Sequence, residues 1–134
     1  MKLASRNQLI ALCQRRYIEI EIPEANLNVR LQSLSEKEKS DYETKLISKN
    51  GRGILKDRLA DATRRLISIC VVDENGERLF TDQDLNVIAN MDSFVSSRIY
   101  EACQEHCGFN KTDIETAVKN SDRLEVADDD LPSD

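Results

Sequence analysis

Two short stretches of the chain alternate apolar and polar residues without a fault, and from Ser35 onward the period becomes helical. Tyr17-Ile-Glu-Ile-Glu-Ile22 is the first, Pro23-Glu-Ala-Asn26 interrupts it, and Leu27-Asn-Val-Arg-Leu31 is the second. Period two places Ile18, Ile20 and Ile22 on one face, and a turn at residues 23–26 lets Leu27, Val29 and Leu31 join them across a hairpin. Glu19 and Glu21 then face Arg30 on the other side. A two-stranded hairpin is marginal in water, so its apolar face has to lie on helices and its edges are open to further pairing.

The helices are marked by their ends. Ser35-Glu-Lys-Glu38 has the form in which hydroxyl and carboxylate each satisfy a backbone donor at a helix start. The helix it opens, to about Ser48, has few apolar anchors (Tyr42, Leu46, Ile47) and is expected on the outside. Asn50-Gly-Arg-Gly53 stops it. From Ile54 to about Val72, Leu55, Leu59, Ala62, Leu66 and Ile69 recur at helical spacing, which predicts the central core helix, with Asp61 and Arg65 paired on its flank. Asp73-Glu-Asn-Gly76 reads as a turn and residues 77–80 as a short extended link. Thr81 with Asp84 is expected to cap a helix through Leu85 and Ile88, stapled by Phe80. Asp92 or Ser93 caps the next, with Val95, Ile99, Ala102 and Cys103 inward and Gly108 at its end. Asn110 with Asp113 repeats the start device, with Phe109 meeting Ile114, for a last short helix to about Asn120. Residues 5–14 form a short amphipathic helix capped by Ser5, with Leu9, Ile10 and Cys13 on one side, marginal by itself.

The expected fold is therefore mostly α with a small N-terminal β-hairpin, an α+β class. Residues 1–121 form one helical domain including hairpin 17–31, and residues 122–134 a disordered acidic tail. Of the net charge of −6, five units fall in residues 122–134, where six acids stand against Arg123, so the body carries about −1. A near-neutral body argues against nucleic acid, which needs surplus Lys and Arg on one face. It argues equally against mimicry of DNA charge on a rigid surface. Helix, turn, helix over residues 81–107 offers Arg98 alone as a base on its second helix, which excludes a DNA-reading pair. With no apolar run near the length of a membrane span, no cleavage site after residues 1–16, and four unpaired cysteines, the expected location is the cytoplasm.

Catalytic chemistry finds no foothold. Cys103-Gln-Glu-His106-Cys107 puts three possible ligands near one helical face, but a zinc site wants a fourth, and Cys13 and Cys70 have no matching partner. A small buried thiol and a His near a helix C-terminus explain the motif. Residues at i and i+3 on one helix seldom aim at each other across a cleft, so Cys103 with His106 is no nucleophile and base. Residues 50–56 lack the strand and third Gly of a phosphate cradle. The chain is read as a non-enzyme with no cofactor and no metal. Basic residues crowd positions 49–65 and acidic ones positions 73–92, either as solvated faces or as complementary patches.

The order of segments carries a resemblance. A short helix before Arg16-Tyr-Ile-Glu-Ile-Glu-Ile-Pro-Glu24, then Val29-Arg30-Leu31, then Leu34-Ser-Glu-Lys-Glu38, resembles the start of the tail assembly chaperones of long-tailed bacteriophages. Val72-Asp-Glu-Asn-Gly-Glu-Arg-Leu-Phe-Thr-Asp82 is similar to that family's middle, and Lys119-Asn120 before a polar tail to its end. Ala25-Asn26-Leu27 stands where the family has Trp and Gly after its Pro-Glu pair. The resemblance, over about residues 5–121, implies a protein of the host cell cytoplasm that binds the long, helical, apolar tape measure protein, keeps it soluble and helps tail tube subunits polymerise around it, without being retained in the virion. It also implies a longer frameshifted form in many members, whose extension recruits tube protein. On the residues themselves, Ile18, Ile20, Val29 and Leu31 of the hairpin and Tyr42 and Leu46 of the sparsely anchored helix are the expected partner-binding or self-associating surface. The competing reading is a virion component, for tail completion or head-tail joining.

Overall fold

The computed structural model describes residues 1–48 and 55–109. Its elements are α1 (Arg6–Ile10), β1 (Tyr17–Ile22), β2 (Leu27–Gln32), α2 (Glu36–Ser48), α3 (Leu55–Cys70), β3 (Val71–Val72), α4 (Leu85–Ala89) and α5 (Ser93–Cys107). The mostly α reading with an N-terminal hairpin holds. The turn at residues 50–53, the last helix to Asn120 and the tail beyond it lie outside the described residues.

Hairpin register follows the alternation: Ile18 opposes Leu31, Ile20 opposes Val29 and Ile22 opposes Leu27. Asn26 takes the left-handed conformation, φ 55° and ψ 43°, that closes the turn, a geometry that Gly adopts freely and Asn tolerates better than most residues. Glu19 sits opposite Arg30, yet the Arg30 guanidinium stacks over the Tyr17 ring at 4.4 Å and donates to Glu74 O at 3.0 Å.

The sheet has a third strand that periodicity hides. Val71 and Val72 continue the apolar pattern of α3, but helix ends at Cys70 and the two valines pair with Leu31 and Arg30 of β2. β-Branched side chains fit an extended backbone, and the second edge of β2 supplies the partner groups. The turn that follows is held by Asp73, whose Oδ1 accepts from Asn75 N at 2.8 Å and Glu77 N at 3.0 Å. Gly76 takes φ 82° within it.

Caps fix the helices. Ser35 Oγ accepts from Glu38 N, and Glu38 Oε1 accepts from Ser35 N at 2.8 Å. Asp92 accepts from Phe94 N and Val95 N at the start of α5, and Gly108, φ 79°, ends it. At Thr81 the outcome differs: Asp84 turns back to accept from Thr81 N at 2.7 Å, closing a turn over residues 81–84. Its carboxylate is thereby used, and α4 begins one turn later, at Leu85.

The core lies between the sheet and α2, α3 and α5. From α3 it takes Ala62, Leu66, Ile67 and Cys70, with Leu59 and Ile69 half-buried; from α5, Ile99 and Cys103. Asp61 and Arg65 pair on the flank of α3 at 2.7 Å.

Candidate interaction surface

The six side chains expected to meet a partner divide in two. Ile18 is 37% exposed at the outer corner of β1, and Ile20 and Val29 are half-buried. Leu31 is fully enclosed, because β2 is the central strand with β1 and β3 on either side. Tyr42 and Leu46, 1% and 4% exposed, pack inward from α2. The Tyr42 hydroxyl donates to Ala62 O at 2.8 Å, and its ring meets Phe109 edge to face at 5.6 Å. The expectation of an apolar outer face on α2 at these two residues is thus corrected: they are the anchors that fasten it, and the chain's own core occupies them.

One edge of the hairpin is taken by β3, whereas among the described residues no strand pairs with the other edge, that of β1. Ser33 N donates to Arg16 O at 2.8 Å. The alternation this sets turns the peptide groups of Ile18, Ile20 and Ile22 toward β2 and those of Tyr17, Glu19 and Glu21 to the open side. The carboxylates of Glu19 and Glu21 flank that edge, and like charges facing each other disfavour pairing of two copies there.

Ahead of β1 the chain is clasped, then leaves the body. Arg15 makes a two-pronged ion pair with Glu38 at 2.7 and 3.0 Å and donates to Ser33 O. Burial would push the Glu38 carboxyl up, but the Arg15 guanidinium and Ser35 N outweigh it and hold it below the usual range. Arg16 Nη2 donates to His106 O at 2.7 Å, while His106 Nε2 lies 3.0 Å from Arg16 O. A carbonyl only accepts, so Nε2 carries the proton. Every residue of 1–14 is exposed, including Leu3, Leu9, Ile10 and Leu12. These four are not among the side chains expected to meet a partner; the signal for them in the sequence is an apolar side on a helix too short to sustain itself.

Elsewhere, Leu79, Val87 and Phe94 stand exposed along the acidic stretch 73–92 and just beyond it. Asp82 there is shared by Lys45 and Arg78, both at 3.3 Å. Glu24 at the hairpin turn pairs with Arg98 of α5.

Folding brings Cys70 beside Cys107, Sγ to Sγ 3.6 Å, a proximity that 37 residues of separation conceal. The contact with Cys103, with burial, pushes the Cys70 thiol up, and the contact with Cys70, then burial, does the same for Cys107. These are protonated thiols of low reactivity. Among the described residues no group of three or more His, Cys, Asp or Glu is placed to hold a metal ion, and no helix is long and apolar enough to cross a membrane.

No family model matches the chain, and no curated protein matches it. Among solved structures, the tail assembly chaperone of bacteriophage HK97 has a similar fold, with a TM-score of 0.55 at 15% identity over 69% of this chain and 85% of that one.

Proposed function

We propose that the chain is a tail assembly chaperone of a long-tailed bacteriophage, one that binds the tape measure protein, keeps it soluble and promotes assembly of tail tube subunits around it before leaving the particle. The observation that carries this reading is the fold shared with the HK97 tail assembly chaperone. The chain's motifs at residues 16–24, 29–38 and 72–82 point the same way.

The client surface is the apolar hairpin face that the described residues leave partly uncovered: Ile18 near the end next to the arm and Leu27 at the turn, with half-buried Ile20 and Val29 between them. A helical client has its backbone groups satisfied internally, so it offers an apolar stripe to this face rather than a strand to the β1 edge. Self-association, contact with tube protein and action in the host cytoplasm belong to the same reading. The burial of Leu31, Tyr42 and Leu46 removes them from the contact.

Co-expression tests it. The tape measure protein is expected to stay in the soluble fraction with this chain and to pellet without it, and the combined change Ile18→Asp and Leu27→Asp is expected to lose that effect while keeping the thermal transition. Equal solubility with and without the chain would refute the reading. Mass spectrometry of purified particles gives a second check, since a chain retained in the virion is a structural component instead.

A further inference from the structure

The arm that precedes the sheet is basic and apolar, and its outer part is uncovered. Residues 1–16 hold Lys2, Arg6, Arg15 and Arg16 and no acid. Arg15 and Arg16 are engaged at the root, with Glu38 and His106 O. Among the described residues neither Lys2 nor Arg6 makes a hydrogen bond or ion pair. Leu3 is 98% exposed and Leu12 75%. The box in which Ser5 and Gln8 cap α1 satisfies backbone donors, but five residues are far too few to hold a helix in water unaided. A groove of about 590 Å³ runs along the root, lined by Leu12, Cys13, Arg16, Leu34 and Lys37 among others.

The chain leaves the described residues beside this groove. His106 is clasped to Arg16, and Lys39 stands over the Phe109 ring at 4.9 Å. The 25 residues that follow Phe109 include a stretch of the opposite kind, in which Leu124, Val126 and Leu131 alternate with Glu125, Asp128, Asp129 and Asp130 and there is no base. With the helix expected to about Asn120, rising about 1.5 Å per residue, and an extended chain beyond it, Phe109 to Leu124 spans roughly 30 Å, against a radius of gyration of about 14 Å for a domain of this length. The stretch therefore reaches the arm.

We propose that residues 124–131 dock on the N-terminal arm of their own chain, acids against Lys2 and Arg6 and apolar side chains against Leu9, Ile10 and Leu12, covering the arm until a partner displaces them. A short tether holds the two segments at an effective concentration in the millimolar range, which favours the same chain over a second copy. The contact does not depend on what the protein chaperones, so its failure leaves the assembly reading intact.

The test uses the full chain with p-benzoylphenylalanine in place of Leu131, irradiated at low salt in a mixture of light and heavy-nitrogen-labelled protein. Crosslinks are expected within single chains, enriched several-fold on residues 1–16 over the rest of the body. The enrichment should collapse at about 1 M salt, where the Debye length is about 3 Å. It should collapse also in Lys2→Glu with Arg6→Glu, changes on exposed side chains that leave the core alone. Adding Asp128→Lys, Asp129→Lys and Asp130→Lys to that variant should restore it. Crosslinks spread evenly over the body, crosslinks joining light to heavy chains, or enrichment indifferent to charge reversal would each overturn the proposal.

Discussion

Tyr42 separates two views of α2, as an outer helix waiting for a partner or as a fastened part of the core. Its side chain is 1% exposed, its hydroxyl donates to Ala62 O at 2.8 Å, and its ring packs on Phe109 with an interplanar angle of 68°. Burial pushes the hydroxyl pKa far above the ordinary tyrosine range, so the donor keeps its proton at any working pH. Tyr42→Phe removes one hydrogen bond and keeps the ring. Ala62 O remains inside α3 with its helical partner, so the cost is about 1 kcal/mol. Tyr42→Ala removes the ring, leaves a cavity and breaks the aromatic pair, for about 4 kcal/mol. With an unfolding entropy of about 2.1 cal/mol/K per residue, 134 residues give about 0.28 kcal/mol/K. The melting temperature should then fall roughly 4 °C for Phe and roughly 14 °C for Ala. Urea unfolding followed by circular dichroism measures both free energies, with thermal melts as the check. If Tyr42→Ala cost less than about 1 kcal/mol, the residue would not be enclosed and α2 would be an outer helix rather than a fastened one. Folded Tyr42→Phe should also solubilise the client as well as the parent chain does.

Asp92→Ala should destabilise by about 1 kcal/mol, because one carboxylate oxygen accepts from both Phe94 N and Val95 N; a chemical denaturation curve reads this directly. The lowered pKa of Glu38 means that its contribution is fully present above the ordinary Glu value of about 4.3 and is lost as pH falls through the folded value below it. Glu38→Gln should therefore be less stable at neutral pH and show a shallower loss below about pH 4.3, seen in melts across an acid series. Deleting residues 122–134 should leave the thermal transition almost in place, since the segment's proposed contact is with the exposed arm and not with the core; a large drop would contradict this.

Much of the fold was legible because it is locally determined. A period of two excludes any slip by one residue and the turn at residues 23–26 sets the rest of the register, so the pairs Ile18 with Leu31 and Ile20 with Val29 follow. Ser35 with Glu38, Asp92 and Gly108 act within a few residues, and each behaves as its sequence says. What stayed hidden depends on distant chain. Val71 and Val72 look helical until the edge of β2 is beside them. α2 looks outward because it is highly charged, and only the arrival of α3 and Phe109 shows that two aromatic and aliphatic anchors suffice. For the same reason the candidate surface was half legible: Ile18, Ile20 and Val29 keep some exposure, while Leu31, Tyr42 and Leu46 are claimed by neighbours that periodicity does not reveal.

The clasp between Arg16 and His106 bears on the order in which the molecule forms. It joins residues 90 positions apart through two hydrogen bonds. Closing a loop of that length costs about 4 kcal/mol beyond a constant, whereas each bond returns about 1 kcal/mol. The clasp therefore cannot start folding. The hairpin and the capped helices must come together first, through contacts of short separation, and the clasp then closes as a late latch, setting the root of the arm only after α5 has docked.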